Sequence, residues 1–157
     1  MRPQTMLHPQ ALPASTHAYL DRSAASLEVA ATTPDVNRRY ATAHVAALQA
    51  AAALLAARAQ PDPRRRPQRN AWVLLTRVAP ELAEWARFFS DGAARRAAAE
   101  AGARGAVSER EADDLVRDAD RFLATVESAL GLVPHHTGPR RTAVAGRAAY
   151  DLERPSA

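Results

Sequence analysis

Alanine fills about a quarter of the 157 positions, and isoleucine is absent. Alanine is the best helix former, because it loses no side-chain freedom in a helix. Valine and threonine are sparse and aromatic residues make up 5%, so little of the chain suits a pleated strand. The fold class that follows is all-α. The length gives one domain with a real core.

The segments are punctuated. Residues 1–14 carry three prolines and no periodicity, which predicts a disordered N-terminal arm. A first helix is expected from Ser15 or Thr16 as N-cap, with Leu20, Ala24, Leu27 and Ala31 on one face. Thr33-Pro34 signals the next start, Thr33 as cap and Pro34 at the first helical position. That second helix should run to about Arg58, with Val36, Tyr40, Ala47, Leu48, Ala51, Leu54 and Leu55 sharing a face. A proline-arginine loop, Gln60 to Arg69, separates it from Asn70, the next cap.

Beyond Asn70, the residues Trp72, Leu75, Ala79, Leu82, Ala86 and Phe89 keep 3-4 spacing straight through Pro80. Proline removes a backbone donor and clashes with the preceding turn, so a break is expected there. Asp91-Gly92 is a second interruption. Ser108 and Glu111 form a capping-box pattern ahead of a helix from about Glu109 to Leu130, closed by Gly131. Together these segments predict an antiparallel bundle of four to five helices over 15–132. Residues 133–157 read as a disordered basic tail.

Charge and composition restrict the chemistry. All 21 basic residues are arginine, no cysteine occurs, and the formal net charge is +4. Arg64, Arg65, Arg66 and Arg69 alone carry four positive charges, so the basic character is local to one loop. Arginine forks match phosphate oxygens, which makes this loop and Arg38 the candidate nucleic-acid contacts. The same loop has no aromatic residue to stack a base, and one short basic run is a weak footprint, so the simpler reading is a solubilising linker. No metal site is expected: His135 and His136 follow a helix exit with no carboxylate cluster apparent nearby, and no His-Glu-x-x-His pattern occurs. No glycine-rich phosphate loop is present, and no cofactor is expected. The acidic residues around Asp113, Asp114 and Asp118 alternate with Arg110, Arg117 and Arg121 and read as a solvated helix face. With no signal-like N-terminus, and with its longest apolar run, Val45 to Ala57, too short to span a bilayer, the chain is expected in the cytoplasm.

The sharpest local pattern is Arg38-Arg39-Tyr40-Ala41-Thr42-Ala43-His44, continued by Ala46-Ala47-Leu48 to Leu54-Leu55. With Trp72-Val73-Leu74-Leu75, Ala79-Pro80-Glu81-Leu82-Ala83-Glu84-Trp85 and Glu111-Ala112-Asp113-Asp114-Leu115, it resembles a stand-alone actinobacterial branch of the HEPN superfamily over about Ser15 to Leu132. The resemblance implies a compact helical bundle, often a homodimer. Many such proteins are metal-independent endoribonucleases that act on RNA through an arginine and a histidine four to six residues apart. Arg39 and His44 meet that spacing, as do Arg38 and His44. The histidine would serve as general acid or base on a ribose hydroxyl, and the arginine would stabilise phosphate charge. The alternative is a non-catalytic module binding RNA, nucleotide or protein. On periodicity alone, His44 falls inside the apolar stripe, one turn from both Tyr40 and Leu48, and Arg39 lies about 140° around the helix from it. A core histidine satisfies that placement without catalysis, and convergence of the pair would require a second copy of the chain.

Overall fold

The computed structural model describes residues 11–60, 63–64 and 70–137. Most of the expected N-terminal arm, part of the arginine loop and the tail from 138 onward lie outside these residues. Among the described residues, six α-helices and one 3-10 turn follow in order: α1 (Ala14–Thr32), α2 (Val36–Arg58), α3 (Ala71–Val78), the turn Pro80–Leu82, α4 (Ala83–Asp91), α5 (Ala93–Glu100) and α6 (Glu109–Ala129). Among the described residues there is no strand, so the all-α expectation holds.

Two helix starts differ from the sequence reading. Thr16 does not cap α1: it is buried, and its hydroxyl donates to the Ala53 carbonyl of α2, 3.0 Å away. Thr33 does not open α2 either. Its hydroxyl donates back to the Val29 carbonyl of α1, and Asp35 is the N-cap, accepting from the Arg38 amide.

The α1–α2 pair is a close antiparallel hairpin. Thr16 reaches Ala53 while Ser23 reaches Ala46, both through hydroxyl-to-carbonyl bonds, so partner numbers fall as chain numbers rise. The buried face of α1 is Thr16, Ser23, Leu27 and Ala30. Ala43, Ala46, Ala47, Ala50, Ala51 and Ala53 of α2 are wholly buried. Small side chains let the two backbones approach, and each buried hydroxyl then finds an acceptor, which removes its desolvation cost.

Helix α2 is the centre of the bundle. By length and composition it is the helix among the described residues that could cross a membrane, further than the run from Val45 to Ala57 suggested; its most apolar window has mean hydropathy 1.4, and half of that window is buried in the fold. Its neighbours supply that burial. Arg39 near its start reaches Asp113, and Arg58 at its end donates to the Ala129 carbonyl, so α6 runs parallel to α2. The intervening elements α3 to α5 cross the bundle to make this possible. They break at Pro80 and at Gly92, as proline and glycine dictate.

Every residue of the predicted 3-4 stripe from Trp72 to Phe89 is buried. Phe89, the last residue of that stripe, is the hub of an aromatic cluster, stacked on Trp72 at 5.1 Å and packed against Phe122 at 5.1 Å. Helix α6 begins with the full capping box between Ser108 and Glu111. It ends in a Schellman turn: Gly131 sits at φ 77, and the Leu132 amide bonds back to the Glu127 carbonyl at 2.9 Å.

Candidate functional site

The Asp35 cap fixes the first turn of α2 and with it the direction of Arg39. Each of the three guanidinium nitrogens is engaged. Nε donates to the Thr33 carbonyl (3.0 Å), one terminal nitrogen to Asp113 (2.6 Å) and the other to the Pro34 carbonyl (3.3 Å), with Glu109 at 3.9 Å. Arg39 thus clamps the α1–α2 connection to the first turns of α6, and its side chain is 12% exposed.

His44 points elsewhere. The residue is 1% exposed. Its ring meets Trp72 and Phe89 edge-on, at 6.1 and 5.8 Å. Nε2 lies 3.1 Å from the Phe89 carbonyl. A carbonyl only accepts, so Nε2 carries the hydrogen. Burial lowers the imidazole pKa below its ordinary 6.5, opposed by the Phe89 bond and helped by the positive charge of Arg96. The ring is therefore neutral near pH 7, and Nδ1 presents a lone pair that has no hydrogen-bond partner. Arg39 and His44 share no partner, and the structure does not bring them together within one chain.

Above His44 lies a groove of about 790 Å³ between α2, α4, α5 and α6. Tyr40, Phe88, Phe89 and Leu115 supply its apolar surface, and Phe88 is 45% exposed. A Cβ on Gly92 would come within 3.3 Å of the Tyr40 hydroxyl, so glycine leaves room for that hydroxyl where both residues line the groove. Asp91, Glu111, Asp114 and Asp118 line it against one cation, Arg95. Glu111 pairs with Arg95 at 3.1 Å, and Asp114 with Arg117. Asp118 is less well compensated, with Arg121 at 3.9 Å. Burial raises its pKa, and the Asp114 charge adds to this against the pull of Arg121 and Arg117. The groove is acidic and aromatic, a surface that favours donors and cations over phosphates.

The candidate phosphate contacts are divided. Arg38 is exposed on the first turn of α2, and Arg64 is exposed in the loop beyond the other end. About 30 Å of helix separates these ends. Arg65, Arg66 and Arg69 lie outside the described residues.

One cluster was not legible in the sequence. His135 has carboxylates on both sides, contrary to expectation: Nδ1 is 2.6 Å from Glu127 and Nε2 is 2.7 Å from Asp120. The Schellman turn at Gly131 reverses the chain and lays His135 along α6, where Asp120 and Glu127 stand two turns apart. That i, i+7 pair of acids was the available signal. The ring nitrogens point away from each other, so the three groups do not converge. Among the described residues no group of three or more such side chains is placed to hold a metal ion.

A family model described as SAV_6107-like HEPN matches residues 30–127, well over half of the chain. The chain belongs to the HEPN superfamily. The HEPN match runs from the end of α1 through most of α6, and so takes in Arg39, His44 and the acidic groove. It stops short of the His135 segment. No curated protein and no solved structure gives a significant match to this HEPN chain.

Proposed function

We propose that this HEPN protein is a non-catalytic interaction module, whose acidic groove receives a cationic, N–H-bearing group of a protein partner. The observation that carries the reading is the state of His44. A general acid or base must reach the proton it transfers. This imidazole is buried, its Nε2–H is committed to Phe89 and its Nδ1 is closed off from solvent, beneath a groove lined by carboxylates. A guanidinium or ammonium group complements those carboxylates: it donates to their oxygens and offsets the charge of Asp118. A phosphate would meet repulsion there.

The ribonuclease reading, with Arg39 and His44 as the pair, is the competitor. It requires a homodimer or a rearrangement that releases Arg39 from Asp113 and uncovers His44. RNA contact through Arg38 and the loop arginines is a weaker form of it. Action in the cytoplasm belongs to either reading.

The test is a titration of the full-length, isotopically labelled protein, observed by amide chemical shifts. A short arginine-rich peptide should shift the amides of Tyr40, Phe88 and Asp118. Asp118→Asn and added salt should each weaken the response, as for a charge-driven contact. Single-stranded RNA should leave those amides unmoved. Groove shifts with RNA and none with the peptide would reject the proposal.

A further inference from the structure

We infer that the segment from Leu132 to Thr137 is a proton-dependent strap, fastened to α6 while the His135 imidazole is charged and released when it is neutral. The fastening is specific. Both ring nitrogens of His135 lie within hydrogen-bond distance of carboxylates, Glu127 at 2.6 Å and Asp120 at 2.7 Å. The His135 amide adds a bond to the second oxygen of Glu127 at 3.1 Å. Only the imidazolium has two N–H donors, so only the charged ring satisfies both acids.

Beyond the Schellman bond that anchors Leu132 to Glu127, little else holds the segment. Val133 is 91% exposed, and Pro134, His136 and Thr137 are exposed as well. Apolar burial therefore contributes little, and the imidazole bridge decides whether the strap stays down. When the proton leaves, one carboxylate faces a ring lone pair, and the attraction on that side becomes repulsion.

The surroundings favour retention of the proton over part of the neutral range. Burial works against the charge on His135, but the bonds and charges of Asp120 and Glu127 outweigh it, and the pKa is raised above the ordinary 6.5. From α1, Asp21 and Glu28 line the same groove and support a cation there, while His17 opposes one when it is itself charged.

Release has a structural consequence. Leu132, Val133 and His135 form one wall of the groove between α1 and α6, whose floor includes Leu20, Ala24 and Leu123. Removal of that wall opens the apolar seam between the first and last helices. The strap lies beyond the stretch matched by the HEPN family.

The experiment uses the full-length protein and two readouts across pH. The His135 ring carbon shift reports its titration, and hydrogen exchange of the His135 amide, corrected for the intrinsic pH dependence, reports the strap. Wild type should titrate above 6.5, with amide protection lost over the same pH range. Asp120→Asn and Glu127→Gln, which keep side-chain shape, should each move the midpoint down. His135→Gln should exchange on the order of tenfold faster at pH 6, the effect of losing a charge-assisted bond, with unchanged far-ultraviolet circular dichroism. A wild-type midpoint at or below the ordinary value overturns the inference. So does protection that ignores the titration, or midpoints unmoved in both carboxylate variants.

Discussion

The Nε2–H of His44 donates to the main-chain carbonyl of Phe89 across 3.1 Å, and this bond ties the middle of α2 to the end of α4. The same two rings meet edge-on at 5.8 Å. The histidine is therefore a strut between the central helix and the aromatic cluster, and its expected behaviour on substitution is that of a core residue.

His44→Ala should destabilise the fold by about 2–4 kcal/mol, the combined effect of a cavity and a lost buried hydrogen bond. Urea denaturation followed by tryptophan fluorescence measures it, because Trp72 lies against the site. A stability within about 0.5 kcal/mol of wild type, the range typical of surface positions, would remove the strut role.

Stability should depend on pH with two limbs of opposite sign. His44 has a lowered folded pKa. The unfolded chain binds its proton first, so stability is lost as pH falls from about 6.5 through the folded value. His135 has a raised folded pKa. Its contribution is complete below the unfolded value and disappears as pH rises through the folded one. A maximum near pH 6–7 is expected from this pair of shifts. His135→Gln should flatten the alkaline limb and leave the acid limb in place. Denaturation midpoints from pH 5 to 9 check both, and an alkaline limb unchanged in the variant would contradict the assignment.

Arg39 should act on stability through Asp113. Arg39→Ala removes three bonds from a nearly buried fork, at an expected cost of about 1–3 kcal/mol. Asp113 is half exposed, so the coupling in a double-mutant cycle with Asp113→Ala should be smaller, about 0.5–1 kcal/mol, and should shrink with salt. Additive single variants would show that the clamp rests on the Thr33 and Pro34 carbonyls instead.

The helical fold was largely written in the apolar periodicity. The stripe from Trp72 to Phe89 is buried throughout, with the break at Pro80 where proline required it. The capping box at Ser108 formed as the local sequence demanded. Helix α1 was harder to read. Ala24 and Ala31 are exposed, while Thr16 and Ser23 are buried. A hydrophobic count passes over hydroxyl side chains, yet these two suit a close helix pair because carbonyls of α2 lie within reach. The functional features depend on tertiary geometry. The partners of Arg39 come from the α1–α2 connection and α6, the acidic groove is assembled from four helices, and His135 meets Asp120 only because the chain reverses at Gly131. None of these has a local pattern that fixes it, although the one-turn steps from Tyr40 to His44 and from His44 to Leu48 put His44 in the apolar stripe, and the residue is buried.

The most direct test of the interaction-module reading is incubation of purified full-length protein with labelled single-stranded RNA in EDTA. Wild type, Arg39→Ala and His44→Asn are compared, each checked for native circular dichroism. The expected result is no cleavage by any of the three. Cleavage by wild type that is abolished in a folded His44→Asn variant would contradict it and restore the Arg39–His44 pair as a catalytic site.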